Sequence, residues 1–309
     1  MPPPNPGLFP RLLRMFPALA KGLFFLLLIL FITSLPLVIR QSEGRLVLRP
    51  GYFLLALDFL EGLADGRSLT FSAGDFRWHA LRDLPAYFLL SLFYLLLSCC
   101  CGLLIGLPLG IARYRRRHSW GQRALFLLNS FPDFFLIMVL QLTVASLTQL
   151  TGIRIASIAM VSRPPLLLPG IALSFYPSLY LMRTMAAATH EISCQGYILC
   201  ALARGFSRRH IFVREILPGL VPVLENDLSK LTLMILSNLF IAEQLFMLQG
   251  ITRIIFLHGF TERTIYGSGG YQYGLIVCGL VYVFLLYLIT RFALGLLVGL
   301  AKRIIIRDR

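Results

Sequence analysis

The sequence predicts an all-α polytopic membrane protein with six transmembrane helices and both termini on the cytoplasmic side. Three observations lead there. Apolar residues make up 57% of the 309-residue chain and charged residues only 14%, against about 25% charged in a typical soluble domain, so too little polar surface remains to hold it in water. Six stretches can cross a hydrocarbon core about 30 Å thick, which takes roughly 20 residues at 1.5 Å each. They run approximately 22–39, 85–112, 124–150, 164–182, 231–250 and 271–290, the last able to continue past Arg291 to about 300. Finally, the bases gather in alternate connections.

Lys and Arg collect in cytoplasmic loops. With an inward N-terminus, the cytoplasmic segments hold Arg11, Arg14 and Lys21; Arg113, Arg115, Arg116, Arg117 and Arg123; Arg183, Arg204, Arg208, Arg209 and Arg214; and Lys302, Arg303, Arg307 and Arg309. The first outer loop balances six Arg with six acids, Glu43, Asp58, Glu61, Asp65, Asp75 and Asp83. A net charge of +15 in a soluble chain would suggest nucleic acid. Here it orients the spans and can hold cytoplasmic segments near anionic lipid, so lipid is an expected partner and nucleic acid is not.

Residues 1–21 form a cytoplasmic tail that begins with the Pro-rich run Pro2-Pro3-Pro4-Asn5-Pro6. The first helix, 22–39, has no small-x-small site behind it and reads as an uncleaved anchor. The extracytoplasmic loop 40–84 mixes charge, glycine and aromatics; it predicts a small folded cap with one short helix over Tyr52 to Leu63. Residues 85–300, with the cytoplasmic loop 186–229 among them, make the transmembrane core. Within it, Gly102, Gly106 and Gly110 recur every fourth residue, a pattern that lets helices approach closely. Residues 301–309 form a cytoplasmic tail.

Chemistry-bearing residues are few. Asp133 stands about 10 residues beyond Arg123, roughly 15 Å into the membrane at 1.5 Å per residue, where an ionisable group is costly unless it faces a cavity or a partner. It either faces a translocation pathway or makes an interhelical bond, for instance to Asn129. Glu243 lies toward the outer end of the fifth span, as a gate or binding-protein contact or as a solvated helix-end carboxylate. Arg183 reads as a snorkelling anchor. The six cysteines show no CxxC pair and no metal-ligand spacing, so no metal site and no catalytic residue is expected. GxxxxGK[ST] and GxGxxG are absent, so this chain binds no ATP through a P-loop of its own.

The most informative connection is cytoplasmic, residues 186–229. Residues 186–204 suit a helix continuing out of the membrane. Gly205 then supplies a helix end that tolerates left-handed angles, and Ser207 can cap a short basic helix from Arg208 to Leu217, closed by Pro218. Phe206, Ile211, Phe212, Ile216 and Leu217 exceed the apolar content of a solvated loop. Such a lever fits a cleft on another protein, or lies on the membrane as an interfacial helix.

The run Glu191-x5-Tyr197-x3-Ala201-x-Ala203-Arg204-Gly205, followed by Pro218 and Pro222, resembles the cytoplasmic "EAA" loop of binding-protein-dependent ABC transporter permeases. It is most similar to the oligopeptide/dipeptide/nickel branch, and the six spans, inward termini and long first outer loop fit the branch's B-type subunit. Three further segments agree: Gly102-Leu103-Leu104-Ile105-Gly106-Leu107-Pro108-Leu109-Gly110; Ser130-Phe131-Pro132-Asp133-Phe134; and Glu243-x-x-Phe246-x-x-x-Gly250-Ile251. Departures include Gly196 for an Asp, Leu202 for a base, Gln249 for a Pro and Thr252 for a Gly.

The resemblance implies a type I ABC importer of the bacterial inner membrane. It would carry peptides or related small solutes, a metal or metal chelate among them, delivered by an extracytoplasmic binding protein. A second permease subunit, as a heterodimer, and two cytoplasmic ATP-binding subunits complete the complex. This chain would carry no cofactor; ATP and Mg belong to the partner ATPases. Glu191, Tyr197, Ala201, Ala203, Arg204, Gly205, Ser207, Arg208 and Arg209 would make the ATPase-coupling surface, with Asp133 and Glu243 in the pathway or gate. The competing classes are a polytopic membrane enzyme, which needs a reactive cluster at one depth, and a non-transporting scaffold that only recruits an ATPase.

Overall fold

Helices dominate because long apolar runs must satisfy their backbone groups internally once water is excluded. The computed structural model describes residues 8–42, 45–48, 52–73, 76–113, 132–152, 165–260 and 271–307. In order these are α1 (Leu8–Val38), β1 (Ile39–Ser42), β2 (Arg45–Leu48), α2 (Tyr52–Ala64), β3 (Thr70–Ala73), β4 (Phe76–His79), α3 (Ala80–Cys101) and α4 (Leu107–Arg113). There follow α5 (Asp133–Thr151), α6 (Leu167–Ser193), α7 (Gly196–Ala203), α8 (Arg208–Ile211), α9 (Leu217–Leu245), α10 (Ile251–Gly259) and α11 (Tyr273–Arg307). One-turn π-helical segments, Gly102–Gly106 and Phe212–Ile216, join α3 to α4 and α8 to α9.

Among the described residues, five helical stretches are long and apolar enough to cross a membrane: Ala20–Leu37, Ala80–Ala112, Phe134–Thr151, Arg208–Leu245 and Tyr273–Arg303. The fourth expected span coincides with α6, which has the length but not the apolarity of the others. Its interior carries Ser174, Tyr176, Pro177, Ser178, Tyr180 and Arg183, and one whole flank is buried against neighbouring helices. A helix enclosed by protein needs less lipid-compatible surface than one facing acyl chains.

Contacts divide the chain into two units, Met1–Ala86 with Ile254–Phe284, and Tyr87–Arg253 with Leu285–Arg309. In the first, the loop after α1 holds two antiparallel hairpins, β1 with β2 (Ile39 opposite Leu48) and β3 with β4 (Thr70 opposite His79). The expected loop helix is α2. Phe59 on its inner face packs edge-on against Tyr273, ring centroids 5.2 Å apart, and its carbonyl accepts from Ser68 Oγ at 2.9 Å. Tyr271 donates to the Thr33 carbonyl of α1.

In the second unit α6 is the centre. Ser98 Oγ of α3 donates to the Leu173 carbonyl at 2.8 Å, and the glycine ladder lies directly on α6. A Cβ at Gly106 would stand 2.7 Å from the Ser178 carbonyl oxygen, and one at Gly110 would stand 2.7 Å from that of Met182. The small residues thus bring α4 against α6 within the chain.

Three expected helix limits are corrected. The segment 186–204 is not one helix: α6 ends at Ser193, and extended Gln195 (φ −71, ψ 146) starts α7 anew. Pro218 does not close the short basic helix, which continues to Leu245. The proline comes just after the π turn, where the helical hydrogen-bond ladder is already offset. Third, the span drawn over 124–150 is interrupted. Pro132 is extended (φ −62, ψ 148) and α5 begins at Asp133, while 114–131 lie outside the described residues.

Candidate functional site

The element that the distribution of bases assigns to the cytoplasm is built by two capping motifs in series. At the end of α7, Phe206 N–H donates to the Ala201 carbonyl at 3.3 Å and Gly205 N–H to the Leu202 carbonyl at 3.0 Å. This paired closure is a Schellman turn, and it requires the first of its two donors to be left-handed. Gly205 fills that place with φ 81; any L-residue there costs about 1–2 kcal/mol.

Two residues later Ser207 turns extended (φ −64, ψ 146) and its Oγ accepts from His210 N–H, the cap of α8. Phe206 stacks on the His210 ring, centroids 4.9 Å apart and planes within 7°. The chain direction is thereby fixed from both sides of the glycine.

Two buried side chains, Ile198 at 2% and Ile211 at 3% exposure, anchor α7 and α8. Between them every residue except Ala201 and His210 is exposed. Glu191, Tyr197, Ala203, Arg204, Gly205, Phe206, Ser207, Arg208 and Arg209 are exposed, and Ala201 is half-buried. Tyr197, Leu199, Leu202 and Phe206 expose 44–57% of their surface among the three guanidinium-bearing residues. All nine residues singled out in this loop therefore fall on one short stretch, α6 end to α8, with eight of them exposed.

Glu243 is a different kind of site, and the expectation that water reaches it is corrected: it is fully buried. After α9 the chain turns through Met247, at φ 53 the one described non-glycine residue with positive φ, and re-enters a helix at Ile251. The Glu243 carboxylate caps that new helix. Oε2 accepts from Thr252 N–H at 2.9 Å, from Arg253 N–H at 3.2 Å and from the Thr252 hydroxyl. Oε1 accepts from the Ser91 hydroxyl of α3, and Ser91 Oγ in turn accepts from Ile251 N–H at 2.9 Å. A Cβ at Gly250 would collide with the carboxylate, 2.0 Å from Oε1. Hydrogen bonds to a charged acceptor contribute about 1.5–3 kcal/mol each, and here they and the positive end of α10 work against the cost of burying the group.

Asp133 is the first residue of α5, and its side chain lies outside the described residues. The structure does reveal acids that the sequence reading placed outside the membrane segments. Glu225 and Asp227 lie within the continuous helix Arg208–Leu245. Asp227 Oδ2 accepts from Tyr180 OH of α6 at 2.9 Å, Lys230 Nζ stands 4.7 Å from the centre of the same ring, and Glu225 pairs with Lys302 of α11 at 2.9 Å. The signal was present as Glu225, Asp227 and Lys230 at helical spacing, but the apolar count began only at 231. Among the described residues no group of three or more His, Cys, Asp or Glu side chains converges as a metal site.

Comparison with known proteins adds two findings. A family model described as "Binding-protein-dependent transport system inner membrane component" matches residues 102–306, more than half of the chain. Over 145 residues the chain is 24% identical to the nickel import system permease protein NikB of Staphylococcus aureus strain USA300, covering 45% of this chain and 40% of that protein. The same-named proteins of strains NCTC 8325 / PS 47 and COL match equally. The chain thus aligns with less than half the length of these curated relatives.

Proposed function

The chain belongs to the family of binding-protein-dependent transport system inner membrane components, and from that premise we propose that it is one permease subunit of an ATP-driven importer. As a family member with several membrane-crossing helices it is a multi-pass inner membrane protein and a transport component, not an enzyme. The proposal adds the partners and the cargo. The chain pairs with a second permease, is fed by an extracytoplasmic binding protein and is driven by two cytoplasmic ATPases that hold the ATP and Mg. The solute is small and polar, a peptide or a nickel ion or chelate; the nickel option rests on the name of the relatives.

One observation carries the coupling reading: the Schellman turn at Gly205 and the Ser207 cap present an exposed apolar and basic surface at the start of the 38-residue helix Arg208–Leu245. Apolar side chains ringed by Arg suit a protein cleft better than water. A force applied to α7 and α8 enters the helix end-on, and alternating access follows if that helix tilts. Asp133, at the start of α5, is the proposed pathway carboxylate, since an acid in a membrane segment is retained only where it meets a partner or a cavity.

The test is retention. Expressed with the P-loop ATPases of its own transport system, the wild-type chain should hold them through detergent purification. The variant Gly205→Val with Arg208→Glu and Arg209→Glu should release them while still accumulating in the membrane. Equal retention by both would overturn the coupling assignment.

A further inference from the structure

We infer that Glu243 is a positioning residue, a brace that carries movement of the long helix Arg208–Leu245 across a tight bend into the outer helix α10. The inference rests on the coupling reading above and concerns the opposite end of the same helix.

A continuous 38-residue helix is roughly 57 Å long at 1.5 Å per residue. Its ladder runs from Arg208 through the π turn Phe212–Ile216 to Leu245 without a change to another structure, so a displacement at Arg208 has a helical route to Leu245. Beyond Leu245 the ladder stops. Five residues, Phe246 to Gly250, separate α9 from α10, and a loose joint of that length would absorb the motion.

This joint is not loose. Phe246, Leu248 and Ile251 are fully buried. Leu248 N–H returns to the Glu243 carbonyl at 3.0 Å, so residue 243 holds the bend with its backbone as well as its side chain. The carboxylate then takes the first N–H groups of α10 directly, Thr252 and Arg253. Ser91 closes the remaining gap, bonded at once to Oε1 and to Ile251 N–H. Four donors thus converge on one side chain that grows from the last turn of the driving helix.

The alternatives are weaker on the same page. A solvent-facing gate carboxylate would be exposed, and this one is not. A simple core filler would not need Gly250, whose absent side chain makes room for the carboxylate. Nor would it take three of its four donors from the leading turn of another helix.

The experiment uses the assembled complex with its ATPases, in a background where the six native cysteines are replaced. Leu257→Cys, on the exposed side of α10, reports through its rate of reaction with a membrane-impermeant maleimide. With Glu243 intact, the rate should differ several-fold between the nucleotide-free and the vanadate-trapped complex. Glu243→Ala should flatten that ratio to near one while the ATPases stay bound. Glu243→Gln keeps the shape and an acceptor for the α10 amides, and should restore the response.

A Glu243→Ala complex with the full response overturns the brace, as does an assembled Glu243→Gln complex that stays flat or an intact complex with no nucleotide response. If Glu243→Ala does not assemble, Ser91→Ala with Thr252→Val takes its place. Those changes remove two of the four donors, so the response should shrink, and an undiminished response overturns the proposal. Failure of the coupling reading shows separately, as retention of the ATPases by the Gly205 variant.

Discussion

Glu243 and Asp133 look alike as sequence, single acids in apolar stretches, yet they occupy unlike settings. Glu243 was flagged by its rarity, but what it does depends on Ser91, 152 residues away, and no local pattern predicts that pairing. Asp133 instead opens a helix behind Pro132. His258 shows how burial acts on a group outside the candidate spans. Its ring lies 6.2 Å from that of Trp78, and loss of water lowers its pKa from the ordinary value of about 6.5. The unfolded chain therefore takes up the proton first as pH falls. The neutral ring carries no penalty above about pH 6.5, and stability is lost as pH drops below it. In a Trp120→Phe background, acid quenching of Trp78 fluorescence should show a midpoint below about 6.5. A midpoint at or above that value would contradict the burial argument.

Elements were predicted best where a short-range rule sufficed. Gly205 and Ser207 announced the turn and the cap because both motifs are closed within six residues. The break at Cys194 and Gln195 had no comparable marker, since Gly196, the nearest weak point, sits inside α7 rather than before it. The glycine ladder allows a direct test of packing. Gly110→Leu would drive a side chain into the Met182 carbonyl and Met185 Cβ, 2.7 and 2.9 Å from the added Cβ. Overpacking of this kind costs about 1–3 kcal/mol, so the thermal unfolding midpoint in detergent should fall. Gly299 is the control: nothing lies within 4 Å of its added Cβ. Gly299→Ala should leave the midpoint unchanged or raise it, by at most about 1 kcal/mol of helix propensity. Equal losses at both positions would mean that close approach to α6 is not what Gly110 provides.

For the whole molecule, orientation is the property most open to a simple check. Cys194 and Cys200 are exposed at the ends of α6 and α7, on the face that the distribution of bases assigns to the cytoplasm. In intact cells an impermeant maleimide should leave both unmodified, and permeabilisation should expose them. Asp65→Cys, in the outer loop and 60% exposed, should react in intact cells. The opposite pattern would invert the topology. Composition and residue order were enough to determine the helical membrane class, the glycine turn at Gly205 and the Ser207 cap, because bilayer thickness and helix capping act over short stretches of chain. Only the tertiary structure decided that α6 is enclosed by protein, that Asp227 meets Tyr180, and that Glu243 is a buried helix cap and not a solvated end. Each of those depends on residues distant in sequence being brought within hydrogen-bond range, and periodicity carries no information about which distant partner a helix face will meet.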